Sequence, residues 1–365
     1  MRVSVVLATY NGEAFLGEQL GSLTVQTARP HELVVADDGS TDATLGIVEA
    51  FARSAPFPVR VHRNPGTLGF TENFLRAAGQ AEGDVLAFCD QDDVWRPEKL
   101  ERCLAMLDDP DVVMAIHAGQ VVDATLTRWG RRHPDFARDG VVERMGPVLM
   151  NGIVPGFALV FKRVVTDRLL AAWPAERYAE AFRKHGNLMG HDLLAYGTAR
   201  SIGRVAYTAA VLADYRVHAR NVTATEAPFA PALERVGGML QDTRLPDASL
   251  YAHYADRWQQ EVGVLEALMA NDPGLVGLRH LHAYLSNRSR TFAERAALYE
   301  GETPGRRVAC FLGMVRGGSY GSRKAGRLGL RSAAKDLAFC LAPRVMRHPN
   351  APATASAGQG GGLRW

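Results

Sequence analysis

Cysteine is scarce. There are four among 365 residues, Cys89, Cys103, Cys310 and Cys340, and none forms a Cys-x-x-Cys pair. That excludes a zinc ribbon and a disulfide framework, and it fits a reducing compartment. Long hydrophobic runs are also missing. No stretch of about 18 uninterrupted apolar residues occurs, so no segment reads as a spanning helix. An excess of one charge is missing too. The 42 Lys and Arg stand against 39 Asp and Glu, a balance of +3 that argues against a general nucleic-acid binder. Met1-Arg2-Val3-Ser4 leads straight into a strand pattern without a signal-peptide core, and no internal repeat is visible. With 47% apolar and 22% charged residues the chain is globular, and its length suggests about two domains.

Strand and helix patterns alternate over the first 120 residues. Apolar, β-branched runs at 3–8, 32–36, 59–62 and 84–89 read as strands, and 14–25, 41–53, 70–81 and 97–107 as helices. Ser40 or Thr41 is the N-cap candidate for the second helix, and Pro97 suits the first turn of the fourth. Strands that are apolar throughout are buried on both faces, and their alternation with helices predicts an α/β fold: a doubly wound, mostly parallel sheet flanked by helices. From 117 to 155 the pattern weakens into irregular strands and loops. A strand is expected at 156–161, a helix within 186–199, one or two strands at 205–215, and helices at 249–269 and 275–299. The domain reading is a catalytic domain at 1–225, a helical, partly basic amphipathic extension at 226–348, and a disordered Ala/Gly/Ser-rich tail at 349–365.

In doubly wound sheets ligands bind at the carboxyl ends of strands. Three polar clusters sit at such ends: Thr9-Tyr10-Asn11-Gly12, Asp37-Asp38-Gly39-Ser40-Thr41-Asp42 and Asp90-Gln91-Asp92-Asp93. Three carboxylates within four residues repel one another at neutral pH. A divalent cation offsets that repulsion, and Mg²⁺ or Mn²⁺ suits hard carboxylate oxygens shared with substrate phosphates. An exposed acidic turn is the bland alternative. Asp37 or Asp38 could accept a hydrogen bond from a base or ribose, or cap a helix. Trp95 could pack on a sugar face or in the core.

The order and spacing of these clusters, with Asn64-Pro65-Gly66…Gly69 between the second and third, resemble an inverting family-2 glycosyltransferase of the GT-A fold over residues 1 to about 220. Asp90-Gln91-Asp92-Asp93-Val94-Trp95, followed by His191-Asp192 and the run from Tyr215 to Val222, is similar to rhamnosyltransferase-like members. The resemblance implies a nucleotide-sugar site of Thr9, Tyr10, Asn11, Asp37, Asp38, Asp90, Gln91, Asp92 and Trp95. It implies Mn²⁺ or Mg²⁺ at Asp92, Asp93 and His218, and Asp192 as the catalytic base. His191 stands where the family often has Glu. An inverting transfer needs a carboxylate to take the acceptor proton and a cation to neutralise the leaving diphosphate, so separate carboxylates with separate roles suit the chemistry.

Residues 301–347 hold ten Lys or Arg and two acids, while residues 1–300 are net negative. The basic residues are interleaved with apolar ones from Phe311 to Leu341, as in stretches that lie on anionic membranes; a solvated helical face is the alternative. Gly317-Gly318-Ser319-Tyr320-Gly321 predicts at least two short helices there. The expected function is transfer of a sugar, L-rhamnose from dTDP-rhamnose first, to a hydroxyl of a cell-surface polysaccharide or lipid-linked glycan such as lipopolysaccharide or O-antigen. The expected location is cytoplasmic, peripheral at the inner face of the plasma membrane. A UDP-hexose donor and a non-catalytic nucleotide-sugar-binding scaffold are the competing readings. A sugar nucleotidyltransferase would need a Gly-rich basic phosphate loop after the first strand, which Thr9–Glu13 lacks.

Overall fold

The computed structural model describes residues 1–144, 154–186, 188–218, 248–301, 303–321 and 327–341. The chain divides into two compact units, Met1–Val217 with Val264–Leu281, and His218–Gly263 with His282–Trp365. The expected break near residue 225 and the tail at 349–365 lie outside the described residues.

The first unit is a ten-stranded sheet flanked by helices. Its early part alternates β1 (Val3–Thr9), α1 (Leu16–Thr24), β2 (Glu32–Asp37), α2 (Thr44–Ala52), β3 (Val59–Arg63), α3 (Phe70–Gln80) and β4 (Val85–Cys89). β5 (Val94–Trp95), α4 (Lys99–Leu107), β6 (Val112–Val122), β7 (Arg128–Arg132) and β8 (Gly140–Val142) follow. Then come a 3-10 turn (Gly156–Ala158), β9 (Leu159–Lys162), α5 (Arg163–Ala172), α6 (Ala175–His185), α7 (His191–Ile202) and β10 (Arg204–Arg216). The spatial order is β3-β2-β1-β4-β9-β6-β10-β5, with β7 on β6 and β8 on β10.

β1, β2, β3 and β4 pair in parallel, as their continuous apolar runs require. Beyond β4 the sheet is mixed. β9 runs antiparallel between β4 and β6, and β10 returns parallel to β6. The carboxyl ends of β1, β2, β4, β6 and β10 therefore share one edge of the sheet. Because β9 is reversed, its beginning lies at that same edge.

Three local differences from the sequence reading have physical causes. The strand expected at 156–161 begins only at Leu159, because Gly156–Ala158 turns to serve side chains at the sheet edge. The second helix starts at Thr44 rather than near residue 41. Ser40 spends its hydroxyl on Asp37 at 2.5 Å, while Asp42 accepts from the Thr44 amide at 3.0 Å. An eleven-residue strand, β6, crosses the supposedly irregular region. His117, Gly119 and Gln120 break its apolar pattern, yet His117 is fully buried and burial pulls its pKa down to about 3.

In the second unit, α10 (Pro304–Arg316) opens with Thr303 as N-cap, whose hydroxyl accepts from the Arg306 amide at 3.3 Å. α11 (Leu330–Leu341) follows, so the basic stretch does form two helices. α8 (Ala248–Asn271) and α9 (Arg279–Glu300) precede them and are shared between the units. Asp336 of α11 is fully buried, accepting from Arg295 at 3.0 and 2.7 Å, Tyr299 at 3.0 Å and Tyr320 at 3.0 Å. Around it pack Leu298, Met314, Leu328 and Phe339.

Opposite the carboxyl edge, Glu32 ties three strands together. It accepts from the Ser4 hydroxyl at 2.5 Å, the Glu82 amide at 2.6 Å and Arg60 at 2.5 Å. Burial alone would raise its pKa, but these bonds outweigh burial and lower it. Its stabilisation is therefore complete above the unfolded carboxylate pKa and disappears as pH falls through the lower folded value. Glu32→Gln should cost about 1 kcal/mol at pH 7, since its amide oxygen still serves Ser4 and Glu82 while an NH₂ replaces the carboxylate oxygen facing Arg60. Urea titrations of both proteins should show that gap narrowing below about pH 4.

Candidate active site

Four expected residues build a self-satisfied frame at the ends of β1 and β2. Thr9 donates to Asp37 at 2.9 Å, and Asp37 also accepts from the amides of Gly39 at 3.2 Å and Ser40 at 2.9 Å. Asn11 sits at φ 47°, and its side-chain oxygen accepts from the Thr41 amide at 2.9 Å. Asp38 accepts from Asn64 at 3.0 Å, Leu68 N–H at 2.8 Å and Gly69 N–H at 2.9 Å. It thereby folds the Asn64–Gly69 segment over the end of β2 and into the start of α3. Gly69 lies at φ 85°, a conformation that a side chain would strain. Tyr10 alone of this group is open to solvent, 50% exposed.

Gln91 joins this frame to the acidic cluster. Its carbonyl accepts from the Tyr10 amide at 2.9 Å and its NH₂ donates to the Tyr10 carbonyl at 3.1 Å. A side chain at Gly12 would run into the Gln91 amide. The Gln91 side chain thus serves the backbone of the neighbouring loop.

The carboxylates gather as the topology predicts. Asp90 follows β4, and Asp192 lies in the first turn of α7, both half-buried. Burial first, then the charges of Asp92 and Asp192, push the Asp90 carboxyl up to about 7. Burial raises Asp192 to about 6, against hydrogen bonds from the backbone of Leu193, its own amide and Gly156. The Leu193 amide lies 2.8 Å from its Oδ1. Tyr215 is raised by burial and then by all four acids, Asp93, Asp92, Asp90 and Asp192, so these five groups share one neighbourhood.

Two expected site residues lie in the interior. Asp93 is fully buried, accepts from the Arg216 amide at 2.9 Å, and has its other oxygen shut in without a partner. Burial and the charges of Asp92 and Asp90 raise its pKa well above the ordinary value. Trp95 is 2% exposed and its face is covered by Lys99, whose Nζ lies 3.2 Å from the ring centroid. No ring face is left for a sugar. His218 falls in the second unit, and Ala219–Val222 lie outside the described residues. His191 is core: it stacks on Phe74 at 3.7 Å, and burial lowers it to about 3.

Two basic residues were missed. Lys99 is fully buried and donates to the Phe157 carbonyl at 2.7 Å. Burial pulls its pKa down to about 7 despite the carboxylates nearby. Arg216 ends β10, donates to the Asp92 carbonyl at 2.7 Å and the Ala124 carbonyl at 2.7 Å, and pairs with Glu18. A basic residue inside a strand or opening an apolar helix face was the only available signal, and it does not say what the charge meets.

Among the described residues no group of three or more His, Cys, Asp or Glu side chains forms a metal cluster by itself. The half-buried pair Asp90 and Asp92, with the charge repulsion that lifts Asp90, fits a divalent ion that takes its remaining ligands from substrate.

Residues 4–169 match the family model described as Glycosyl transferase family 2. An uncharacterized glycosyltransferase of Nostoc is 28% identical over 229 residues, which is 60% of this chain and 66% of the relative. The putative glycosyltransferase EpsH of Bacillus subtilis is 28% identical over 226 residues, covering 60% of this chain and 62% of EpsH. The aligned part is thus slightly less than two thirds of either relative. The poly(ribitol-phosphate) beta-N-acetylglucosaminyltransferase TarS of Staphylococcus aureus is 38% identical over 112 residues, 30% of this chain and 19% of TarS. The crystal structure of S. aureus TarS 1-349 shares the fold, with TM-score 0.51 and 18% identity over 88% of this chain and 93% of that one.

The Gln91 bridge makes a direct expectation. Gln91→Leu removes both bonds to Tyr10 and should lower the unfolding free energy by about 1 kcal/mol, because both bonds are partly wet. Thermal melts of the two proteins measure it, and equal melting temperatures would show that the bridge does not hold the loop.

Proposed function

We propose that the chain is an inverting glycosyltransferase that moves a sugar from a nucleoside diphosphate to a hydroxyl of a cell-envelope polysaccharide or lipid-linked glycan. The observation that carries this reading is the meeting of Asp192 with Asp90 and Asp92 at the carboxyl edge of the sheet. The family-2 match and the polysaccharide-linked name of TarS support it.

Asp192 is the base. Its carboxyl, raised by burial to about 6, is ionised at neutral pH yet more basic than an exposed Asp, which suits removal of a hydroxyl proton during attack. The frame of Thr9, Asn11, Asp37 and Asp38 shapes the nucleoside end, where exposed Tyr10 offers an aromatic face to the base. Asp92 and Asp93, the pair given by the sequence pattern, would hold Mn²⁺ or Mg²⁺ with Asp90 beside them. A divalent ion bound there neutralises the charge growing on the diphosphate. dTDP-rhamnose is the first donor candidate from the sequence resemblance. A UDP-hexose is the second, favoured by the TarS 1-349 structure in complex with UDP-GlcNAc, whose fold this chain shares. The domain reading of 1–225 and a helical extension at 226–348 is retained as part of this proposal.

A thermal-shift panel of dTDP, UDP, GDP and CMP, each with and without Mn²⁺ or Mg²⁺, tests the donor site. Saturation at about 100 times the dissociation constant should stabilise by about 2.7 kcal/mol. Asp192→Asn should keep that shift and lose transfer by about 10²- to 10⁴-fold, as removal of a general base does. Unchanged turnover sinks the base assignment, and no shift with any nucleotide favours the non-catalytic scaffold.

The second unit adds a surface. Among the described residues no helix is long and apolar enough to cross a membrane. Leu312 and Val315 of α10 and Leu330 and Leu337 of α11 are nonetheless exposed, and so are Arg306 and Arg316 of α10. Exposed apolar residues on helices that also expose arginines suit peripheral binding to anionic lipid, where each Lys or Arg contributes about 1 kcal/mol. Co-sedimentation with phosphatidylglycerol vesicles at low salt should retain the protein, and Leu312→Asp with Leu337→Asp should release it. Recovery in the supernatant without those changes ends the membrane reading.

A further inference from the structure

The turn Gly156–Ala158 is where the two separated parts of the acidic site are joined. The backbones of Gly156 and Phe157 lie near Asp192 and Asp90 respectively and help to lower their carboxyls against burial. Two consecutive residues thus adjoin the two carboxylates that the proposed reaction uses. The turn has little freedom. A Cβ built at Gly156 would lie 2.6 Å from His191 Nε2 and 3.6 Å from Asp90 Oδ2. The Phe157 ring stacks on Tyr215 at 4.9 Å.

Lys99 reaches the back of this turn through its 2.7 Å bond to the Phe157 carbonyl. A fully buried ammonium is costly to desolvate, so it persists only where fixed groups compensate it. Here the Phe157 carbonyl and the Trp95 ring do so at short range. The Lys99 backbone opens α4, whereas Asp90 follows β4 and Asp192 opens α7. The ammonium therefore connects a third element to the two that carry the carboxylates.

We propose that Lys99 is a positioning residue, which fixes the Phe157 carbonyl and through the Gly156–Ala158 turn sets the placement of Asp192 relative to Asp90. This rests on the reading of Asp192 as the base. Loss of the ammonium frees the turn. The donor is still bound by the β1 and β2 loops, but the base no longer meets the reacting hydroxyl at the right distance. Misplacement by about 1 Å can cost about 10²-fold in rate.

The test uses the full chain with UDP-GlcNAc and dTDP-rhamnose in Mn²⁺ buffer, following release of the nucleoside diphosphate with water as acceptor. Lys99→Met should lower kcat by about 10- to 100-fold while donor KM changes less than about 3-fold. Gly156→Ala displaces the same turn from its other side and covers the case in which Lys99→Met folds poorly. It should give the same split, and the double variant should be no slower than the worse single one, as expected for residues acting as a unit. A crystal structure of Lys99→Met should show the Asp192 carboxyl moved relative to Asp90. A folded Lys99→Met protein with wild-type kcat, additive losses in the double variant, or an unmoved carboxylate pair would overturn the proposal. Asp192→Asn run in parallel separates the two readings. If it keeps full turnover, the base assignment fails; if it loses turnover while Lys99→Met does not, only the positioning role fails.

Discussion

Like charges crowded at one edge of a buried sheet are the constraint on which the rest of this structure depends. Asp92 and Asp192 raise Asp90, Asp92 and Asp90 raise Asp93, and all four act on Tyr215, in each case after burial. The protein answers by giving each carboxyl a different environment. Asp93 is shut into the interior, and Asp192 receives backbone amides. Asp90 is shared between the Phe157 backbone and the nearby Lys99 charge. Environments that push equivalent groups apart are what assign separate chemical roles to them.

The surrounding frame is built by polar groups that satisfy each other. Asp37 and Asp38 accept from the loops that follow them, and Gln91 spans from the acidic cluster to the Tyr10 backbone. Arg216 joins the end of β10 to the acidic loop and to the Ala124 carbonyl. Loops at a sheet edge carry backbone groups that no ladder can satisfy, so side chains take over that work. The cost is that several residues with the look of ligand contacts are occupied in holding the loops. The second unit repeats the principle away from the site, with Asp336 collecting Arg295, Tyr299 and Tyr320 in one buried cluster.

The parallel strands, their helices and the clustering of polar residues at strand ends were legible because they are local. A run such as 33–36 is apolar in every residue, and a buried strand is the only short element that needs this. Asp90, Asp92 and Asp192 were legible from spacing and resemblance. β6 was not, because a buried neutral His117 and the contacts that make room for Gly119 and Gln120 come from other parts of the chain. Trp95 read equally well as ligand contact or core, and the structure buries it with Lys99 against its ring.

By itself the sequence determined which segments become strands and which strand ends carry acid, since periodicity and turn chemistry act over a few residues. Tertiary structure alone decided which acids are buried, which amides reach them, and that Lys99 ends against Phe157, 58 positions away. Those outcomes depend on desolvation and hydrogen bonding between elements distant in the chain. The reversal of β9 is the pivotal case. No residue in that strand announces its direction, yet the direction brings Gly156 and Phe157 close to Asp192 and Asp90.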